Sequence, residues 1–310
     1  MTRPAAIAAL DAGEAVRVRL WPAAFGRATP VLFLLPAVLL TGILAVGLVM
    51  ALDSSLRPLD PMTYRQAAAW SLGNYEQLAG RPAYLWILGR SLLAAVLVTA
   101  LCLVLALPYA YCMVRTASPA LRKLLLVGLF LPFFIGQVVR AYGWLLVLGQ
   151  EGLLNEALAG LGLARVSVLY TFPAVVMGLA QYMLPFAVLL LAPAVVAIDE
   201  DVEAASAGLG ASWTRTFRHI VIPMARPGLI GAGIVVFTIT LTDYAMPQIL
   251  GGGTNDFIAN AIYDAFFRLS NAGVGSALSV LLVLLGSTLV ALLMAVAGAG
   301  TMALAAGEDR

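Results

Sequence analysis

Four stretches of the chain contain no charged residue and each exceeds a bilayer's thickness as a helix: residues 28–52, 91–114, 166–198 and 269–307. About 20 apolar residues cross the hydrocarbon core as an α-helix. Two further stretches, 124–150 and 227–250, each carry a single charge, Arg140 and Asp243. In lipid every backbone polar group must be satisfied within the protein, which favours helices over open sheets. The chain is 62% hydrophobic and only 11% charged, so these blocks are the rule rather than an exception. A soluble globular core does not need apolar segments of this length and number. The expectation is an all-α membrane protein with six transmembrane helices, at about 29–52, 87–114, 122–148, 168–197, 222–249 and 274–304.

Basic residues set the orientation. With the N-terminus in the cytoplasm, the N-terminal tail, the turn at 115–123, the loop at 199–226 and the C-terminus all lie inside. These segments hold eleven of the eighteen Lys and Arg: Arg3, Arg17, Arg19, Arg27, Arg115, Arg122, Lys123, Arg215, Arg218, Arg226 and Arg310. The outer connections hold Arg57, Arg65, Arg81, Arg165 and Arg268, with Arg90 at a span edge. Both termini are therefore expected to be cytoplasmic. The domain plan is a tail at 1–28, a membrane domain at 29–304 and a short tail at 305–310. The polar first 27 residues lack the apolar region of a cleaved signal peptide, so the first span is expected to stay as an anchor. Short surface helices are expected around 74–78 and 151–161.

Several chemistries are excluded. A phosphate loop needs Gly-Lys-Ser/Thr, and the one lysine, Lys123, follows Arg122. One histidine, His219, cannot build a His-Glu-x-x-His zinc helix. Cys102 and Cys112 share one expected helix about 15 Å apart along its axis, too far for a disulfide or a compact metal site. No cofactor, no metal and no nucleic-acid partner is expected. Active transport by this chain needs energy from another subunit or from an ion gradient.

The inner segment 199–223 carries the most information. Val202, Ala205, Leu209, Trp213 and Phe217 recur at spacings of three and four, which places them on one helical face. Ser212, Thr214, Arg215 and Arg218 take the other. Gly208 and Gly210 favour two short helices with a bend over one continuous helix. Pro223 and Pro227 suit the first turn of the next span. Such an element either docks its apolar face into a partner's groove or lies on the lipid headgroups.

Arg140 and Asp243 are the charges inside spans, each costing a few kcal/mol if unpaired near the bilayer centre. Counted from the inner ends of two outward-running helices, both lie about 24 Å along the axis. They form a cross-helix pair, share a polar cavity, or reach water independently at the outer interface. Tyr142, Trp144 and Tyr244, near them in sequence, suit an interfacial aromatic belt or a wall that attracts ammonium groups. Gln137, Gln181 and Tyr182 suit a polar pathway or helix–helix hydrogen bonds.

The inner loop, with Glu203-Ala204-Ala205, Leu209-Gly210-Ala211-Ser212, Thr216-Phe217 and Ile222-Pro223, resembles the Glu-Ala-Ala loop of ABC-importer permeases. Leu131-Pro132-Phe133-Phe134, Val139-Arg140-Ala141-Tyr142-Gly143-Trp144 and Gly152-Leu153-Leu154-Asn155 resemble the spermidine/putrescine type of that family, closest to the first permease of the pair. So do Asp243-Tyr244-Ala245-Met246-Pro247, Leu250-Gly251-Gly252-Gly253 and Asn260-Ala261-Ile262-Tyr263-Asp264. The likeness runs from about residue 30 to 295. It departs in one place: aligned on Leu209-Gly210, the Glu-Ala-Ala core falls on Ala204-Ala205-Ser206, and Glu203 stands one position early.

The resemblance implies a type I ABC importer permease fold and a subunit that is not an enzyme, working by alternating access in the inner membrane of a bacterial cell. The implied partners are a second permease, two ATPase subunits and an extracytoplasmic solute-binding protein, with polyamines or related small organic solutes as substrate and lipids around the spans. The ATPase is expected to engage the loop at 199–220 through Glu203, Ala204, Ala205, Gly208, Gly210, Trp213, Phe217 and Arg218. The translocation pathway is expected to involve Arg140, Tyr142, Trp144, Gln181, Asp243 and Tyr244. The alternative is a secondary transporter using Asp243 for ion coupling.

Overall fold

The structure, a computed structural model, describes residues 23–305 except 61 and 64, with side chains described between 33 and 295. The expected tail therefore lies mostly outside the described residues, as do residues 306–310. Among the described residues there is no β-structure beyond one isolated bridge, Leu59 with Gln66. Four helices are long and apolar enough to cross a membrane, and six spans result if each of two bent helix pairs counts as one.

The first helix, α1 (Ala23–Ser55), starts before the expected span and takes in Arg27. It belongs largely to a compact unit of its own, Met1–Asp53. Its described apolar side chains from Phe33 to Met50 are exposed. An apolar surface of this extent matches lipid or a neighbouring subunit rather than water.

The second unit, Ser54–Arg310, is built on three helices: α3 (Pro82–Arg115), α7 (Phe172–Val196) and α10 (Arg226–Leu241). Ala94, Val98, Cys102, Ala106 and Ala110 recur every four residues along α3 and are all fully buried. Their facing partners include Val175, Leu179, Met183, Val188 and Leu191 on α7 and Ala232 and Val236 on α10. Helices in lipid gain little from hydrophobic transfer against one another, so close approach through small residues does the work. Gly228 shows how close: a Cβ there would sit 2.4 Å from Ala194 Cβ. The Cys102 thiol donates to Ala180 O at 3.4 Å, and Cys102 and Cys112 are both free.

A second core is separate from the first. It joins Leu78 of α2 (Gly73–Gly80), Ile258 and Ala261 of α12 (Ile258–Tyr263), Ala265 just beyond it, and Val274, Ala277 and Leu278 of α13 (Ala272–Ala305). The short helix expected near 151–161 is α6 (Leu153–Gly160). Asn155 locks it by donating to Gly149 O and Val166 O and accepting from the Val166 N–H.

Two expected spans are not straight. The third divides into α4 (Pro119–Phe133) and α5 (Gln137–Leu148), with a 98° change of direction between Pro119–Phe133 and the segment Gln137–Gly160. Pro132 removes a ladder donor near the end of α4, and Gly136 adopts an extended conformation before α5 begins. The fifth begins with α9 (Trp213–Met224), which includes a π-helical turn at Phe217–Val221, and bends 69° into α10. Pro223 and Pro227 each remove a backbone donor, one on either side of that bend. The fifth span also ends early. Helix α10 stops at Leu241, and a short α11 (Ala245–Leu250) follows the break, so Asp243 is not helical as expected but lies between two helices.

Candidate functional site

The charges at 140 and 243 both sit beside helix breaks. Asp243 Oδ1 accepts from the Met246 N–H at 2.9 Å, at the start of α11. A carboxylate there satisfies an orphan donor and faces the positive end of the helix dipole. Arg140 Nη2 donates to Pro132 O and, at 2.9 Å, to Ile135 O. Pro132 O, in the last turn of α4, keeps the Ile135 N–H but not an i+4 helical partner, and Ile135 lies in the link itself, so the guanidinium supplies a donor that the interrupted ladder lacks. Each break thus has a matching charge, cation at a helix C-terminus and anion at an N-terminus.

The two charges do not form a direct ion pair. Gln137, one turn before Arg140, donates from Nε2 to Asp243 Oδ2. The Arg140 guanidinium carbon lies 5.1 Å from the Tyr182 ring centroid, within cation–π range. Both charged residues are buried, Arg140 8% exposed and Asp243 7%. Arg140 Nε and Nη1, Gln181 Oε1 and Thr240 Oγ1 are buried without a hydrogen-bond partner. Gln137, Arg140, Tyr182 and Asp243 thus form a polar cluster on α5, α7 and the α10–α11 break, with two guanidinium nitrogens unspent.

Other expected pathway residues distribute differently. Tyr244 closes the break: its carbonyl accepts from Asn260 Nδ2 at 3.1 Å, and its ring lies 5.0 Å from that of Tyr263. Trp144 packs against the main core, with an edge near Gly178. Tyr142 is exposed and takes no part in the cluster's contacts. Asn260, which also binds the Phe257 N–H and Gln248 Oε1, is a buried organiser; the family resemblance included it in a motif but gave it no role.

The inner loop folds as two helices, as its glycines suggested. Helix α8 (Glu200–Gly208) starts at Asp199, whose side chain accepts from the Asp201 N–H at 3.0 Å, and carries Glu200, Asp201 and Glu203 in its first turn. Acidic residues suit a helix N-terminus. It ends with Gly210 at φ +81°, the Ala211 N–H returning to Ser206 O and the Gly210 N–H to Ala207 O. This is a Schellman turn, which needs a residue comfortable in the left-handed region. Ser206 and Thr216 hydroxyls then bond at 2.9 Å, fixing α8 against α9.

The expected apolar stripe divides between Trp213 and Phe217. Leu209 is 91% exposed and Trp213 58%, and Val202 and Ala205 are exposed beside them. Phe217 instead turns inward, its ring 5.1 Å from Trp213 in a stack and 5.3 Å from Tyr111 edge-on. Ala204, Gly208, Gly210 and Arg218 lie on exposed surface. Glu203 is half-buried and spent within the chain. Its Oε1 accepts from Arg115 Nε at 2.9 Å and its Oε2 from the Tyr111 hydroxyl at 2.5 Å. Its early position in the sequence pattern has a structural counterpart: this carboxylate faces α3, whereas Ala204 and Ala205 face out.

Comparisons with known proteins are consistent in kind. Residues 103–301 match the family model described as the binding-protein-dependent transport system inner membrane component. The chain is 33% identical over 215 residues to the spermidine/putrescine transport system permease protein PotB of Escherichia coli (strain K12), covering 69% of this chain and 78% of that one. It is 31% identical over 239 residues to the inner membrane ABC transporter permease protein YdcU of the same organism, covering 73% and 76%. Among solved structures, a bacterial ABC transporter involved in alginate import superposes with a TM-score of 0.71 at 17% identity, covering 90% of this chain and 98% of that one. The MetNI methionine ABC transporter in an inward-facing conformation gives 0.53 at 19% identity, covering 72% and 98%. At these identities the structural likeness establishes the fold.

Proposed function

The chain belongs to the binding-protein-dependent transport system inner membrane components, and we propose that it is the permease subunit of an ATP-driven importer for polyamines or related small organic solutes. The polyamine assignment rests on the relatives that carry that substrate class in their names. In this reading the chain works in a bacterial inner membrane with six spans and both termini inside. It pairs with a second permease, two ATPase subunits and an external binding protein. It lacks the Gly-Lys-Ser/Thr phosphate loop, so ATP hydrolysis falls to the ATPase subunits.

One observation carries the mechanism. A helix–turn–helix between two spans presents Leu209 and Trp213 outward, the Trp213 ring stacking on Phe217 with its other face exposed. An exposed apolar pair on a rigid, capped element fits a partner's groove. Closure of the ATPase pair on ATP would move this element and drive alternating access. Asp243 is engaged by Gln137 and the Met246 N–H, which supports a structural task over reversible ion coupling.

The test is the Trp213→Asp variant. It puts a charge at the exposed anchor without touching the helix caps. Co-purification of the ATPase should fall while membrane insertion is preserved. Full ATPase recovery would refute the docking role and return the loop to a lipid-surface reading.

A further inference from the structure

We propose that Arg115, Tyr111 and Glu203 form a mechanical latch, a set of positioning residues that carries movement of the 199–220 element into α3 and along it to the outer segment 254–258. The inference rests on the docking role given to that element above, and it concerns what happens after docking.

Arg115 ends α3 and commits its whole guanidinium to the far side of the loop. Nε and Nη2 reach Glu203 Oε1 at 2.9 and 2.8 Å, Nη2 also reaches Ile198 O at 2.5 Å, and Nη1 reaches Glu200 Oε1 at 3.3 Å. The Arg115 and Glu203 side chains are each 15% exposed. A planar guanidinium with several simultaneous bonds fixes angle as well as distance. One turn earlier, Tyr111 grips the same carboxylate and lies edge-on to Phe217 and, at 6.0 Å, to Trp213. The last two turns of α3 therefore hold both helices of the inner element.

The opposite end of α3 is tied in a similar way. Arg90 Nη1 donates to Thr254 O at 2.7 Å. The Ser91 hydroxyl donates to Ile87 O and accepts from the Ile258 N–H at 2.9 Å. From Ser91 to Arg115 the helix spans about 36 Å at 1.5 Å per residue. Between these ends its small buried face is clamped to α7 and α10. The helix stays continuous through Pro108, and a helix tied at two points and packed between them can carry displacement from one to the other. The segment it reaches leads into α12, whose Asn260 donates to Tyr244 O at the α10–α11 break beside Asp243.

The test uses the full transporter in proteoliposomes with its binding protein. Glu203→Gln and Arg115→Gln are compared with the charge exchange that combines Arg115→Glu and Glu203→Arg. Each single change should leave ATPase recovery intact while uptake per ATP hydrolysed falls at least about fivefold, the lower end of ordinary coupling between sites. The exchange should restore part of that ratio. If the glutamine variants fail to insert, Tyr111→Phe removes one hydroxyl and is read the same way. An unchanged ratio with all three overturns the latch. So does loss of ATPase recovery, which makes Glu203 a docking contact. Failure of the docking role itself shows separately, as full ATPase recovery with Trp213→Asp.

Discussion

The bond between Gln137 and Asp243 should be worth more than any interaction between Arg140 and Asp243, despite the opposite charges of the latter pair. The perturbations are Gln137→Leu, Arg140→Gln and Asp243→Ala, singly and in the two double combinations that include Asp243. Asp243 accepts from Gln137 Nε2 and the Met246 N–H, and it is nearly sealed from water. A hydrogen bond to a charged group contributes about 1.5–3 kcal/mol in soluble proteins, whereas cycles within a membrane bundle average about 0.6 and reach about 1.7. A coupling of about 1–2 kcal/mol follows for Gln137 with Asp243, a factor of about 5–30 in the unfolding constant. Arg140 spends its bonds on Pro132 and Ile135 carbonyls, so its coupling to Asp243 should stay below about 0.5 kcal/mol. The assay is unfolding of the purified transporter from detergent micelles by sodium dodecyl sulfate, followed by circular dichroism. A larger coupling for Arg140–Asp243 than for Gln137–Asp243 would refute the assignment of the two charges to separate helix breaks.

Other expectations follow from single contacts. Gly228→Ala forces a methyl group against Ala194 and should cost about 1–3 kcal/mol by overpacking, seen as a lower melting temperature of the detergent-solubilised complex. Burial, and then the neighbouring Asp264 carboxylate, push the Asp256 carboxyl above the usual range. A raised acid favours the folded state fully below its unfolded value and loses that contribution as pH rises through the folded value. Asp256→Asn should therefore raise thermal stability at neutral pH and flatten its dependence across the weakly acidic range, with no gain expected at pH 3. The purified chain alone should release phosphate from ATP only at background, and activity removed by a substitution in this chain would contradict the lack of a nucleotide site.

The four long apolar helices were legible because uncharged length is a direct signal, and so were the α8–α9 bend, foretold by Gly208 and Gly210, and α6 near 151–161. The breaks were not. Pro132 and Gly136 are permissive of a bend, yet its direction depends on Arg140 reaching back to carbonyls in its own span. The position of Asp243 outside the helix depends on Gln137, 106 residues away. Equal depth suggested a pair, but depth along two helices says nothing about which side chain lies between them. The apolar stripe on 199–217 had the right members and the wrong unity. A three- and four-residue spacing assumes one helix, whereas Leu209 and Trp213 stay exposed on either side of the Schellman turn at Gly210 and Phe217 packs on Tyr111. Glu203 has its latch partner 88 residues away, a distance that periodicity cannot read.

The central claim is that energy enters from a separate ATPase through the 199–220 element. It is tested most directly by accumulation of radiolabelled putrescine in proteoliposomes holding this chain, the second permease and the ATPase pair, with binding protein outside and ATP inside. Uptake should stop with an ATPase unable to hydrolyse ATP, and should stop equally with Trp213→Asp in this chain. Uptake that persists in either case, or that follows an imposed ion gradient without ATP, would contradict the account.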